Sequence, residues 1–170
     1  YMRGRMVDRK SYVPPFQIGE PLTGGAIGKV IKSAHPDFKE GDFVSSHWGW
    51  RDGFTARAEG IERLGEIVAP ASEYLGAIGM PGMTAYAGLL EVGALKDGET
   101  VFVSGAAGAV GSIVGQIAKL KNCHVIGSAG NDEKVELLTK ELGFDSAFNY
   151  NDGNLLGHLR ELAPEGIDVY

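Results

Sequence analysis

Three glycines, Gly105, Gly108 and Gly111, lie in the stretch G-A-A-G-A-V-G, between an apolar strand-like run and an apolar helix-like run. Such a turn at the start of a helix gathers backbone N–H groups and partial positive charge, which together favour a phosphate group. Gly108 would let the backbone approach a pyrophosphate, and Gly111 would let the helix pack close to the sheet. The spacing differs by one residue from G-x-G-x-x-G. A tightly packed turn without a ligand is therefore the alternative, and the strand–turn–helix context favours dinucleotide binding.

The residues after the next predicted strand bear on which dinucleotide would bind. A site for NAD places an acidic residue there, about 20 residues after the glycines, to bind the ribose 2′-hydroxyl. Residues 128–131 instead read S-A-G-N, and Asp132 and Glu133 follow slightly later, where acids also suit the first turn of a helix. Lys134 could pair with the 2′-phosphate of NADP or could be an ordinary solvated lysine, and spacing alone leaves these interpretations even.

The elements that would position these residues alternate between strand and helix from residue 97 onward. Short apolar runs alternate with segments whose apolar residues recur at helical spacing, which is typical of a parallel α/β sheet. Asn131 or Asp132 is predicted to cap a helix that ends at Gly143. The predicted strands are 99–105, 123–130, 146–150 and 167–170, and the predicted helices are 109–122, 131–143 and 154–162.

The first 70 residues are predicted to be rich in β-strand. Short, partly alternating runs set off by turn residues predict strands at 26–34, 41–48 and 53–60. Residues 73–95 then favour helix, with a break at Pro81-Gly82 and an end at Gly93.

Composition excludes several classes of function. The 170 residues carry a net charge of −6 and 44% hydrophobic residues, so a core can form and nucleic acid is not an expected partner. A single cysteine, Cys123, excludes an internal disulfide and a zinc site built from several cysteines, which suits a reducing cytoplasm. No stretch suits a membrane span or a signal peptide, so no membrane partner is expected. Since a dinucleotide-binding sheet normally has two βαβαβ halves, we expect these residues to be the middle of a longer chain.

Three segments closely resemble the zinc-independent medium-chain dehydrogenases/reductases, in the branch of the prostaglandin reductases, alkenal double-bond reductases and curcumin reductases. These segments are YMRGRM at 1–6, the run from GMPGMTAY to EKVELL at 79–138, and LGFDSAFNY at 142–150. The resemblance implies an α/β chain with two parts. Residues 1–75 would be part of a GroES-like β-rich catalytic domain, and residues 76–170 the first half of a Rossmann parallel sheet.

The resemblance also implies an activity, the NADPH-dependent reduction of the carbon–carbon double bond of α,β-unsaturated aldehydes and ketones. Hydride would reach the β-carbon, a hydrogen-bond donor would stabilise the negative charge on the carbonyl oxygen, and a proton would reach the α-carbon. The cysteine-rich ligand sets of zinc-using relatives have no counterpart here, so no metal is expected. The resemblance implies NADP as cofactor, a small-molecule enone as substrate and a homodimer in the full-length form, and the cysteine usage predicts a cytoplasmic location. A quinone reductase of the same superfamily and a non-catalytic nucleotide-binding or interaction protein are the alternatives.

Individual site residues also follow from the resemblance. Tyr1 matches the tyrosine of the family's D-P-Y-M-R motif at the active site, where it would bind the substrate carbonyl. The cofactor residues are Gly108, Ala109, Val110 and Gly111 for the pyrophosphate, Lys134 for the 2′-phosphate, Tyr150 near the adenosine phosphate end, and Met83 and Thr84 beside the nicotinamide. The H-W-G-W stretch at 47–50 could wall an apolar pocket or could be a packing cluster. Asp168, on the last predicted strand, is assigned no role.

Overall fold

The computed structural model describes residues 2–170, and the chain forms two compact units, Tyr1–Leu75 and Gly76–Tyr170. Over residues 2–75 the first unit forms strands and short 3₁₀ helices, and the second unit alternates helices with strands, which confirms the predicted α/β fold class. The strands are β1 (Ala26–Lys29), β2 (Phe43–Ser46), β3 (Ile61–Arg63), β4 (Thr100–Val103), β5 (His124–Ala129) and β6 (Ser146–Asn149). The α-helices are α1 (Met80–Tyr86), α2 (Gly111–Leu120), α3 (Asp132–Glu136) and α4 (Leu155–Leu162).

The first unit is built around an antiparallel sheet in the order β1-β2-β3. Val44 and Ser46, on the central strand, are buried. The strands predicted at 26–34 and 41–48 are confirmed over shorter lengths.

The strand predicted at 53–60 is wrong. That segment ends in a turn in which the Ile61 N–H donates to the Ala58 carbonyl oxygen at 3.1 Å, and Gly60 has a φ of +75°. A left-handed residue interrupts extended backbone, so pairing with β2 begins only after the turn, at β3.

Met2–Arg5 form a 3₁₀ helix that is fixed by the Arg5 side chain. Its Nη2 donates to Thr23 Oγ1 at 3.0 Å, and its Cζ lies 4.0 Å from the centroid of the Phe16 ring. The Phe16 N–H also donates to the Arg5 carbonyl oxygen at 2.8 Å. The segment that follows Tyr1 is therefore anchored to the first unit by the Arg5 side chain and by a backbone hydrogen bond.

The second unit holds a parallel sheet in the order β4-β5-β6. The strand predicted at 167–170 is present as a single parallel bridge between Val169 and Val101, on the free side of β4. There the Phe102 N–H donates to the Val169 carbonyl oxygen at 3.0 Å. The resulting spatial order places β4 between the last strand and β5, as in doubly wound dinucleotide-binding sheets.

Helices cover both faces of this sheet. On one face Val101, Val103 and Val125 pack with residues of α2 and of the helical segment after α3. On the other face Phe102, Ile126 and Phe148 form a second buried cluster, against which α4 packs. The alternation along each strand therefore sends apolar side chains into two separate layers, which is the arrangement expected of a parallel sheet.

The Pro81-Gly82 pair begins a helix instead of breaking one, so that part of the prediction is wrong. Pro81 lies in the first turn of α1, where the missing N–H would have no partner within the helix. Gly82 is buried, and an added Cβ would lie 1.8 Å from the Ala77 carbonyl oxygen. The helix continues through a π-helical segment, Ala87–Val92, to the predicted end at Gly93.

Candidate functional site

The glycine turn connects the end of β4 to the start of α2, as predicted. Gly105 has a φ of +56°, a left-handed conformation that favours glycine. Its carbonyl oxygen accepts the Gly108 N–H at 2.9 Å, and the Ala106 N–H donates to the Ser128 carbonyl oxygen of β5, also at 2.9 Å. The turn is therefore closed on itself and attached to the neighbouring strand.

Close backbone contacts leave no room for a side chain at Gly111 and little room at Gly108. A Cβ at Gly111 would lie 2.8 Å from the Gly105 carbonyl oxygen and 2.9 Å from the Ala106 Cα. A Cβ at Gly108 would lie 3.0 Å from the same carbonyl oxygen. Tight packing therefore accounts for these two glycines, whether or not the turn also binds a ligand.

The backbone donors at the start of α2 are the feature that fits a ligand. In the described chain, residues 2–170, the N–H groups of Ala109, Val110 and Gly111 donate to no protein acceptor. Ala109 and Val110 are exposed, and α2 is ten residues long. Exposed, unpaired N–H groups at the positive end of a helix dipole suit the charge and the acceptor oxygens of a pyrophosphate.

The end of β5 presents a lysine close to a capped helix start. The Asn131 side-chain oxygen accepts the Lys134 N–H at 2.9 Å, which confirms Asn131 as the cap of α3. Lys134 is exposed, and its side chain forms no ion pair within the part of the chain that the structure describes. Its positive charge is therefore free to meet an anionic ligand.

Tyr150 follows β6 directly and lies against the end of β5. Ala129 pairs with Asn149, so the next residue of each strand, Gly130 and Tyr150, are also neighbours. A Cβ at Gly130 would lie 2.7 Å from the Tyr150 hydroxyl oxygen. The ring therefore fits beside a residue that has no side chain.

Two asparagines that the sequence analysis missed join the ends of β5 and β6. Asn149 Nδ2 donates to Asp132 Oδ1 at 2.8 Å, and Asn151 Nδ2 donates to the Gly130 carbonyl oxygen at 2.8 Å. No local pattern signals these bonds, because each depends on the pairing register between two strands.

The structure thus brings most of the predicted cofactor residues to one edge of the sheet. The glycine turn, Lys134 and Tyr150 all follow the carboxyl ends of parallel strands, where ligands of such sheets bind. Ser104 and Tyr170 mark the same edge between β4 and the last strand, with their hydroxyl oxygens 3.1 Å apart.

Met83 and Thr84 lie on α1, which packs against α2. The Thr84 hydroxyl donates to the Met80 carbonyl oxygen at 2.7 Å, so it is used within its own helix. Met83 is 65% exposed and lines an apolar groove of about 500 Å³ with Ile113 and Ile117 of α2. Their contact with a nicotinamide stays a prediction. Tyr1 lies outside the described residues, so its catalytic role also stays a prediction.

The tryptophans of H-W-G-W belong in part to a packing cluster. Trp48 stacks on Phe54 with ring centroids 5.3 Å apart, and the Arg51 guanidinium lies 5.3 Å from the Trp48 ring. Trp50 is 70% exposed. No partner for the buried Arg51 Nε is found among residues 2–170.

Asp145 is a structural anchor at the opposite edge of the sheet. Its carboxylate lies 2.7 Å from Lys119 Nζ and accepts the Val125 N–H at 2.7 Å. Burial acts to raise the pKa of Asp145, but the hydrogen bonds from Lys119 and Val125 and the nearby positive charge lower it below its ordinary value. This group therefore joins α2 to β5 and has no contact with the candidate site.

Residues 2–170 present neither a cluster of metal ligands nor a membrane-spanning helix. Within that range, no three His, Cys, Asp or Glu side chains come together as a metal site would require. None of the helices described there is long and apolar enough to cross a membrane.

Comparison with known proteins identifies relatives along both units. Residues 1–64 match the family model described as the N-terminal domain of oxidoreductase, and residues 109–170 match the one described as zinc-binding dehydrogenase. The chain is 48% identical over 175 residues to the 2-alkenal reductase (NADP(+)-dependent) of Nicotiana tabacum, covering 100% of this chain and 50% of the relative. It is 45% identical over 170 residues to the NADPH-dependent curcumin reductase of Escherichia coli, covering 100% and 49%.

A solved structure agrees with these relatives. The crystal structure of CurA in complex with NADPH from Vibrio vulnificus is 45% identical, covers 100% of this chain and 50% of that chain, and has a TM-score of 0.88. The chain spans about half the length of the relatives that it matches. These likenesses confirm the GroES-like and Rossmann fold classes predicted from the sequence. The chain belongs to the zinc-independent branch of the medium-chain dehydrogenases/reductases, alongside the curcumin and alkenal reductases.

Proposed function

We propose that this chain is part of an NADPH-dependent reductase that acts on the carbon–carbon double bond of α,β-unsaturated aldehydes and ketones. Residues 1–75 would be part of the catalytic domain, and residues 76–170 the first half of the cofactor domain. The observation that carries this proposal is the shared sheet edge, where the unpaired N–H groups of the glycine turn, Lys134 and Tyr150 lie together. The names of the relatives from Nicotiana tabacum and Escherichia coli support both the cofactor and the substrate class.

The proposed cofactor contacts follow from the charges at that edge. The N–H groups of Ala109, Val110 and Gly111 bind the pyrophosphate, and Lys134 pairs with the 2′-phosphate. Residues 128–131 contain no acid that would accept a hydrogen bond from a ribose 2′-hydroxyl, so the edge favours NADPH over NADH. When bound, NADPH supplies the hydride that reduces the β-carbon of the substrate.

The remaining steps require groups that orient the substrate. Tyr1 is the proposed donor to the carbonyl oxygen, where negative charge develops as hydride arrives. The Arg5 contacts that anchor Met2–Arg5 would hold the segment that carries it. Met83, exposed on α1, would lie beside the nicotinamide, with Thr84 next to it. We also propose a cytoplasmic homodimer, whose oligomeric state sedimentation would test.

The test of the cofactor site is a fluorescence titration with NADPH and with NADH, on the wild-type protein and on Lys134→Ala. We expect tighter binding of NADPH in the wild type and loss of this preference in the variant. A preference that survives in Lys134→Ala would contradict the role of Lys134. A folded wild-type protein that binds neither dinucleotide would support the alternative of a tightly packed turn without a ligand.

The test of the reaction is turnover of a 2-alkenal with NADPH, followed by analysis of the product. The proposed function predicts a saturated aldehyde with the carbonyl group intact. An allylic alcohol would indicate attack at the carbonyl carbon and would refute the proposal. Turnover of quinones but not of 2-alkenals would favour the quinone reductase, and binding without any turnover would favour a non-catalytic nucleotide-binding protein.

A further inference from the structure

A hydrogen bond between the ends of β5 and β6 holds the Asp132 carboxylate, which lies close to the candidate cofactor edge. Asp132 is the first residue of α3 and follows the last residue of β5 by three positions. Its Oδ1 accepts the Asn149 Nδ2–H at 2.8 Å. Asn149 is itself held, because its side-chain oxygen accepts the Asn151 N–H at 3.1 Å. The Asp132 carboxylate is therefore directed toward β6 by a side chain that has a fixed position.

A free carboxylate in this region would oppose binding of NADPH. An acidic side chain shortly after the second strand of such a sheet is the group that accepts a hydrogen bond from a ribose 2′-hydroxyl. The same charge repels a 2′-phosphate. Asp132 is exposed, like Lys134 two residues later. Its side chain is therefore restrained by the Asn149 bond and not by burial.

We propose that Asn149 is a positioning residue for cofactor specificity. Its amide holds the Asp132 carboxylate against β6, so that Lys134 is the charged side chain that faces the 2′-phosphate on the cofactor's ribose. This inference rests on the proposed function, since it concerns which of two dinucleotides that site prefers. It assigns a function to a side chain that need not touch the cofactor.

The test measures the ratio of NADPH to NADH affinity by fluorescence titration of the protein at its natural full length. In Asn149→Ala the released carboxylate should lower this ratio by about threefold to fivefold, the size expected for an exposed charge. Adding Asp132→Asn to that variant should restore the ratio, because the amide has the same shape and no charge. Asp132→Asn alone should change the ratio by less than about twofold, because the carboxylate is already held away.

The matched control is Asn151→Ala. It removes a bond of the same length between the same two strand ends, from Asn151 Nδ2 to the Gly130 carbonyl oxygen, but releases no charge. We expect similar losses of affinity for both dinucleotides and an unchanged ratio.

The possible failures separate the two proposals. An unchanged ratio in Asn149→Ala would overturn this inference while leaving the proposed function intact. A lowered ratio that Asp132→Asn does not restore would also overturn it, since the effect would then come from general loosening of the loop. If Asn149→Ala does not fold, a large change of ratio in Asp132→Asn alone would be the result that overturns it. A wild-type protein that binds neither dinucleotide would overturn the proposed function and this inference together.

Discussion

A single methyl group added at Gly111 would separate the start of α2 from the glycine turn. The Cβ of Gly111→Ala would lie 2.8 Å from the Gly105 carbonyl oxygen, about 0.6 Å closer than the 3.4 Å at which ordinary contact begins. The Ala106 Cα, at 2.9 Å, blocks the other direction, and both obstacles are backbone. The helix start must therefore move by several tenths of an ångström.

The expected magnitude has two parts. Overpacking against a backbone that cannot rotate away lowers the free energy of unfolding by about 1–3 kcal/mol. The same shift misaligns the N–H groups of Val110 and of residue 111 with the pyrophosphate. Loss of about one such charge-assisted hydrogen bond, at roughly 1.5–3 kcal/mol, weakens NADPH binding about tenfold or more.

Two further glycine variants separate these effects. Gly115→Ala places a Cβ 2.0 Å from Phe144, a residue that is only 3% exposed. This variant should therefore destabilise the protein at least as much as Gly111→Ala does, but it should leave the affinity for NADPH nearly unchanged. Gly88→Ala meets no atom within 4 Å, and helix propensity should make it neutral or stabilising by up to about 1 kcal/mol.

Denaturant unfolding and NADPH titration of the three variants together constitute the assay. If Gly111→Ala binds NADPH as tightly as the wild type, the close approach at this residue does not position the phosphate donors. If instead Gly115→Ala loses as much affinity as Gly111→Ala, the loss reports general instability.

Three other changes give separate expectations. Because the pKa of Asp145 is lowered in the folded state, its carboxylate stabilises the fold above its ordinary pKa of 3.8, and this stabilisation is lost as the pH falls through the folded-state value. Asp145→Asn should therefore lower the free energy of unfolding at pH 7 by about 1 kcal/mol and weaken its dependence on acid pH, as measured by urea unfolding across pH. Gly130→Ala should displace the half-exposed Tyr150 ring, weakening NADPH binding with little effect on thermal stability, and equal affinity would contradict the placement of Tyr150 at the site. Gly49 has a φ of +70°, and an added Cβ would collide with a backbone carbonyl oxygen. Gly49→Ala should therefore destabilise the first unit by about 2 kcal/mol or more. An unchanged melting temperature in a thermal melt would refute this expectation.

Local patterns predicted the elements that form the candidate site. Alternation of apolar runs located β4, α2, β5 and β6, because each pattern reflects burial on a sheet or on one helix face. The cap at Asn131 was also predictable, since capping depends on neighbouring residues along the chain.

Contacts between distant residues were beyond local patterns. The Asn149–Asp132 bond exists only because Ala129 pairs with Asn149, and no local pattern encodes that register. Asp168 was assigned no role, but its carboxylate accepts the Thr100 N–H at 2.8 Å. The Pro81-Gly82 pair was misinterpreted because proline both ends and begins helices, and only packing decides between the two.

The position of the last strand has a consequence for how this sheet assembles. β4, β5 and β6 pair with their neighbours along the chain, but the bond from Thr100 to Asp168 spans 68 residues. Contacts between residues so far apart in sequence form late in folding, because closing the long intervening loop costs conformational entropy before the contact is made. Until Val169 docks, β4 is an open edge whose N–H and C=O groups can pair with a second chain. Aggregation during synthesis or refolding would therefore begin at β4. In the native protein, the Phe102 N–H, which donates to the Val169 carbonyl oxygen, would exchange its hydrogen sooner than the central amides of β5.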